Sequence, residues 1–140
     1  MSLNIAIFDD DIGTRDLLSL ICQGVLQECV LYVYENGLEA GDLFVRERID
    51  LVLTDWMMIN PQSGIQGGNG PDVILAAIKA GINTCRIAVV SGTVKDAKDL
   101  LKAVPEIGSS GSLPRLFEKP FDTSKIKSFI QECQETVISL

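Results

Sequence analysis

Histidine is missing altogether from this chain. That absence excludes His-based catalytic triads, phosphohistidine carriers and imidazole metal ligands. Cysteine occurs four times, as Cys22, Cys29, Cys85 and Cys133, with no C-x-x-C pair. No secretory signal accompanies this even number, so a disulfide framework is not indicated. Cys22, Cys29 and Cys133 fall in apolar patterns and read as small buried hydrophobes. No apolar run approaches the ~20 residues that a membrane span requires, and a reduced, cytoplasmic setting is expected. Basic residues are few: twelve Lys and Arg face nineteen Asp and Glu, for a net charge of −7. That balance argues against unaided binding to a nucleic-acid backbone. Internal repeats and interdomain linkers are lacking as well.

What is present is one domain's worth of chain, 140 residues with 46% hydrophobic, enough to bury a sizeable core. Met1-Ser2-Leu3 is compatible with a cloning remnant, and the chain with an excised domain. Strand and helix signals alternate five times. Strands are expected at about Asn4–Phe8, Val30–Tyr34, Leu51–Thr54, Ile87–Val90 and Leu113–Glu118. The first helix is expected to start near Thr14 and to bury Leu17, Leu18, Ile21, Cys22 and Val25. The second runs from Gly37 to about Glu47 and carries Leu38, Leu43 and Phe44. The third opens at Pro71, buries Val73, Ile74, Ala77 and Ile78, and ends at Gly81. The fourth presents Val94, Ala97, Leu101 and Val104 and stops at Pro105. The last presents Ile126, Phe129, Ile130, Cys133 and Val137. Trp56–Gly70 and Gly108–Ser112 read as loops from their glycines, serines and Pro61. The strands are nearly continuous apolar runs, which indicates a sheet covered on both faces. A (βα)5 doubly wound α/β fold follows.

Such a fold gathers its ligands at the carboxyl ends of its strands. Here those ends carry chemistry. Ile5-Ala-Ile-Phe runs into Asp9-Asp10-Asp11, Asp50-Leu-Val-Leu-Thr runs into Asp55, Ile87–Val90 runs into Ser91, and Leu116-Phe-Glu runs into Lys119-Pro120. Adjacent carboxylates repel one another unless a cation or solvent compensates. A hard divalent cation such as Mg²⁺ prefers such oxygen ligands and often shares them with phosphate. Asp11 fits a simpler role, as a cap on the first helix.

In these segments, and in Glu35-Asn-Gly-Leu-Glu-Ala and Asp55-Trp-Met-Met, the chain resembles the receiver domains of two-component response regulators. The resemblance covers essentially all of Asn4–Leu140. It implies a flavodoxin-like five-stranded parallel sheet of order 2-1-3-4-5, making residues 1–140 a single receiver domain. It implies a phosphoacceptor regulator rather than an enzyme, catalysing only its own phosphorylation and dephosphorylation. Asp55 resembles the phosphoacceptor, Asp10 a direct Mg²⁺ ligand, and Asp9 a second acidic residue acting partly through water. The backbone carbonyl of Met57 resembles the third protein ligand. Ser91 matches the hydroxyl that bonds the phosphoryl group, and Lys119 the cation that pairs with it, with a cis Lys119–Pro120 bond. The implied partners are a sensor histidine kinase or phosphotransfer protein, and a downstream protein or an effector domain outside this chain.

Two departures from the family pattern are visible. The Gly that closely follows the acceptor in the family corresponds here to Gly70, which implies an insertion at about residues 59–69. The aromatic residue expected three positions before the lysine is Leu116. Phe117 does not substitute, because strand alternation directs it to the other face. Asp9-Asp10-Asp11 also resembles the Asp-x-Asp start of haloacid-dehalogenase-type phosphatases, with Asp9 as nucleophile. That family's Thr, four residues on, is Gly13 here. A pseudo-receiver that binds partners without phosphorylation is the other alternative.

Overall fold

The computed structural model describes residues 2–58, 68–92, 94–108 and 112–138. The expected insertion falls mainly on residues 59–67, and the glycine-serine stretch on 109–111, both outside the described residues. In chain order the elements are β1 (Leu3–Phe8), α1 (Ile12–Val25), β2 (Cys29–Tyr34), α2 (Ala40–Arg46), β3 (Leu51–Thr54) and α3 (Gly70–Lys79). A 3-10 turn (Thr84–Arg86), β4 (Ile87–Ser91), α4 (Val94–Ala103), α5 (Pro105–Gly108), β5 (Arg115–Glu118) and α6 (Thr123–Ile138) follow. The five strands form one parallel sheet of order β2-β1-β3-β4-β5, as expected.

Strand alternation divides the core into two halves. Ile5, Ile7, Leu51, Leu53, Val90 and Phe117 pack with α1 and α6 on one face. Ala6, Phe8, Val52, Ile87 and Val89 pack with α2, α3 and α4 on the other. Ile5, Ile7 and Phe8 are fully buried, each worth roughly 1.5–3 kcal/mol relative to exposure. Leu116 and Phe117 diverge as expected. Leu116 leans on the α3/α4 side, and Phe117 packs edge-on against Phe129 of α6 at 5.7 Å.

Several expected boundaries shift for local reasons. The first helix begins at Ile12, because Asp11 caps it: its Oδ2 accepts from the Thr14 N–H at 2.9 Å and from the Thr14 hydroxyl at 2.7 Å. Leu18, Ile21 and Cys22 form its buried stripe, while Leu17 points off that stripe and is exposed. Val25 and Ile78, expected inside, lie at the edge of the core. Leu38 is exposed, because Asn36 Oδ1 accepts from its N–H at 3.0 Å and holds the chain in a turn before α2. β5 starts at Arg115 and not at Leu113, since Pro114 has no N–H for the ladder. Pro105 does more than stop α4. It opens the separate short helix α5, where its missing N–H costs nothing. Cys22 and Cys133 are buried as expected, but Cys29, on the edge strand, is only half-buried, and Cys85 is exposed.

Candidate functional site

The register of the sheet builds the site. Phe8 of β1 pairs with Thr54 of β3, so the next residues, Asp9 and Asp55, leave adjacent strand ends side by side. The Asp55 N–H donates to the Phe8 carbonyl at 2.8 Å and locks that pairing one step further. On the other side of β3, Ser91 of β4 pairs with Glu118 of β5, and the Lys119 N–H donates to the Ser91 carbonyl at 3.0 Å. The order β1-β3-β4-β5 therefore brings Asp9, Asp55, Ser91 and Lys119 to one end of the sheet. This end is where the chain reverses its winding direction between β1 and β3, the usual ligand crevice of such folds.

Lys119 ties the carboxylates together. Its Nζ donates to Asp9 Oδ2 at 2.9 Å and to Asp55 Oδ2 at 3.0 Å. The other oxygen of each carboxylate is held by backbone. Asp9 Oδ1 accepts from the Asp11 N–H at 2.9 Å, and Asp55 Oδ1 from the Trp56 N–H at 2.6 Å. Asp9 is 1% exposed and Asp55 8%. Burial pushes the Asp9 carboxyl above its ordinary value; the Asp11 N–H and the Lys119 ammonium pull it down without cancelling that effect. Burial also works against the Lys119 ammonium, but its hydrogen bonds to Asp9 and Asp55 outweigh it and raise its pKa. Lys119 thus stays charged at neutral pH.

Asp10 completes the cluster. Carboxylate oxygens of Asp9, Asp10 and Asp55 lie within 4.8 Å of one another. One ammonium offsets only part of three negative charges gathered at that range. An all-oxygen donor set with surplus negative charge fits a hard divalent cation such as Mg²⁺. Met57, two residues beyond Asp55, has 60% of its surface exposed, and Ser91 is buried at the end of β4. The Lys119–Pro120 bond is cis, as the resemblance implied.

Two neighbours escaped the sequence reading. Arg15 Nη1 donates to the Asp9 carbonyl at 3.0 Å, a second cation beside the acidic strand end. Its position in the first turn of α1 is the only signal in the sequence. Trp56 is almost fully buried and anchors the chain after Asp55. Gly70 packs against the backbone of Asp55 and Trp56, and the geometry requires a glycine there. A Cβ there would sit 2.5 Å from the Asp55 carbonyl oxygen and 2.8 Å from Trp56 Cα.

No protein-family model matches the chain. Over 132 residues it is 30% identical to sporulation initiation phosphotransferase F of Bacillus subtilis strain 168, covering 94% of each. The chain belongs to the response-regulator receiver family. Solved receiver structures agree with this receiver domain in fold. The signal receiver domain of an HD domain-containing protein from Pseudomonas fluorescens Pf-5 superposes with a TM-score of 0.73 at 18% identity over 100% of both chains. A two component transcriptional regulator AraC from Clostridium phytofermentans ISDg superposes at 0.71, with 23% identity over 98% of this chain and 96% of that one. Membership of the receiver family sets aside the haloacid-dehalogenase reading of Asp9. Among the described residues of this receiver domain, no helix is long and apolar enough to cross a membrane.

Proposed function

We propose that this receiver domain is a phosphorylation-dependent signalling switch of the cytoplasm. It takes a phosphoryl group onto Asp55 from a sensor histidine kinase or a phosphotransfer protein, and thereby changes its affinity for a downstream protein or an attached effector domain. The observation that carries this reading is the grip of Lys119 on both Asp9 and Asp55, beside a third carboxylate. The chain has no histidine, so the donor imidazole belongs to the partner.

Phosphoryl transfer depends mainly on positioning and on neutralising charge around the transferred group. The Trp56 N–H and the Lys119 ammonium hold the two oxygens of Asp55, so the nucleophile is oriented before a donor arrives. An Asp55 oxygen forms the new bond to phosphorus as the phosphorus–nitrogen bond of the donor breaks. No general base is needed, since a carboxylate is ionised at neutral pH. Lys119 then pairs with the phosphoryl oxygens, and Ser91 offers its hydroxyl to one of them. Asp9, Asp10, Asp55 and the Met57 carbonyl would hold Mg²⁺, which when bound supplies the remaining neutralisation. Leu116, in place of the usual aromatic residue, leaves α4, β5 and α6 to report the event without a switching ring.

Acetyl phosphate with Mg²⁺ tests this reading. The intact mass should rise by one phosphoryl group, peptide mapping should assign it to Asp55, and Asp55→Asn should abolish it. A protein that stays unmodified is a pseudo-receiver. A label at Asp9 that survives Asp55→Asn sinks the assignment of Asp55.

A further inference from the structure

At the opposite end of the sheet lies chemistry that this switch does not use. A cavity of about 230 Å³ opens between the 3-10 turn, β5 and α6, lined among others by Cys85, Arg86, Ser112, Leu113, Arg115 and Cys133. Two cysteines thus share one small cavity. The Cys133 thiol reaches across it to the Cys85 backbone carbonyl, with Sγ 3.8 Å from that oxygen. Cys85 is exposed and Cys133 is buried, so an oxidant from solvent meets Cys85 first.

The remaining cysteines are less accessible than Cys85. Cys22 is fully buried on the inner face of α1 and Cys29 half-buried on β2. The Cys22 and Cys29 side chains also lie within electrostatic reach of one another.

We propose that Cys85 and Cys133 are an oxidant-responsive dithiol: a peroxide converts Cys85 to a sulfenic acid, and Cys133 closes a disulfide onto it. The first step breaks the peroxide O–O bond. One oxygen bonds to Cys85 Sγ and the other leaves as water. In the second, Cys133 Sγ attacks Cys85 Sγ, the S–O bond breaks, and the hydroxyl leaves with the Cys133 proton as a second water. The pair loses two electrons and the peroxide gains them.

Burial supports this order of events. It pushes the Cys133 thiol up to about 12, with Cys85 and Glu132 acting the same way against Arg86 and Arg115, so Cys133 is not the first thiol to react. The buried Nε of Arg86 has no hydrogen-bond partner among the described residues. The product would staple the entry of β4 to α6 across 48 positions of sequence.

Hydrogen peroxide applied to the reduced protein tests the proposal. The expected product is two hydrogens lighter and yields a non-reduced Cys85–Cys133 peptide. Its Tm should rise on the order of 10 °C, as closing a loop of this length implies, and dithiothreitol should reverse the change. Cys85→Ser should abolish it. Cys133→Ala should leave a sulfenic acid at Cys85 that dimedone traps. An intermolecular Cys85–Cys85 link, a Cys22–Cys29 link, or a sulfinic acid at Cys85 beside a free Cys133 would overturn the proposal.

Discussion

The side chain of Asn69 accepts a hydrogen bond of 2.9 Å from the Met58 N–H, eleven positions earlier in the chain. The described residues on either side of residues 59–67 are thereby held together. Two further bonds pin the same stem: the Gly70 N–H donates to the Trp56 carbonyl at 2.9 Å, and the Gly37 N–H to the Gly68 carbonyl at 2.8 Å. Closure at this stem separates the cost of residues 59–67 from the order of β3. Replacing residues 59–67 by a short Gly-Ser linker should change stability by less than ~1 kcal/mol, because closure entropy grows slowly with loop length. Asn69→Ala should cost about 1 kcal/mol. Urea unfolding of both variants checks the pair. If the linker proves costlier than the alanine, residues 59–67 contribute more than the stem does.

Like charges gathered within 4.8 Å cost about 1 kcal/mol per pair even in water-like surroundings. Asp10→Asn should therefore stabilise the protein by about 1 kcal/mol in the presence of a chelator. The same variant should show a smaller rise in Tm on adding Mg²⁺ than the parent. Thermal unfolding across a Mg²⁺ titration reads both effects, and an unchanged Mg²⁺ response would remove Asp10 from the ligand set.

Met57, two residues beyond Asp55, is mostly exposed, so its side chain is available to shield a proposed acyl phosphate at Asp55 from water. Met57→Asn should leave Tm unchanged and speed loss of the phosphoryl group by a factor on the order of ten, which is ~1.4 kcal/mol of barrier. Following the phosphorylated mass with time after donor removal measures this. Equal lifetimes in both proteins would contradict a shielding role.

Asp122 caps α6, the helix that follows the Lys119 segment. Its Oδ1 accepts from the Ser124 hydroxyl at 2.6 Å and the Ser124 N–H at 2.9 Å. These bonds lower its pKa from the ordinary 3.8. A depressed folded-state pKa gives stability that is fully present above 3.8 and lost as pH falls through the lower folded value. Asp122→Ala should thus lower Tm at neutral pH, and the gap to the parent should close as the solution becomes more acidic than 3.8. Thermal unfolding from pH 7 down to about 2 resolves it, and a gap independent of pH would show that the cap's charge is immaterial.

The alternation of continuous apolar runs with amphipathic stretches determined this protein's fold class, because a strand buried on both faces tolerates no polar position until it ends. For the same reason the chemistry was legible: Asp9, Asp55, Ser91 and Lys119 stand where apolar runs stop. The stripe of α6 and the limits of β3 were equally readable. Elsewhere local competition decided. Capping by Asp11 and the turn at Asn36 moved two helix starts, since side chains there satisfy backbone groups that periodicity does not count. Only the tertiary structure decided which strand ends are neighbours. The pairing of Phe8 with Thr54 sets Asp9 beside Asp55. The return of Lys119 across 64 positions gives them a shared cation. The approach of Cys133 to Cys85 across 48 likewise leaves no trace in spacing, because contacts between distant segments depend on how whole elements pack.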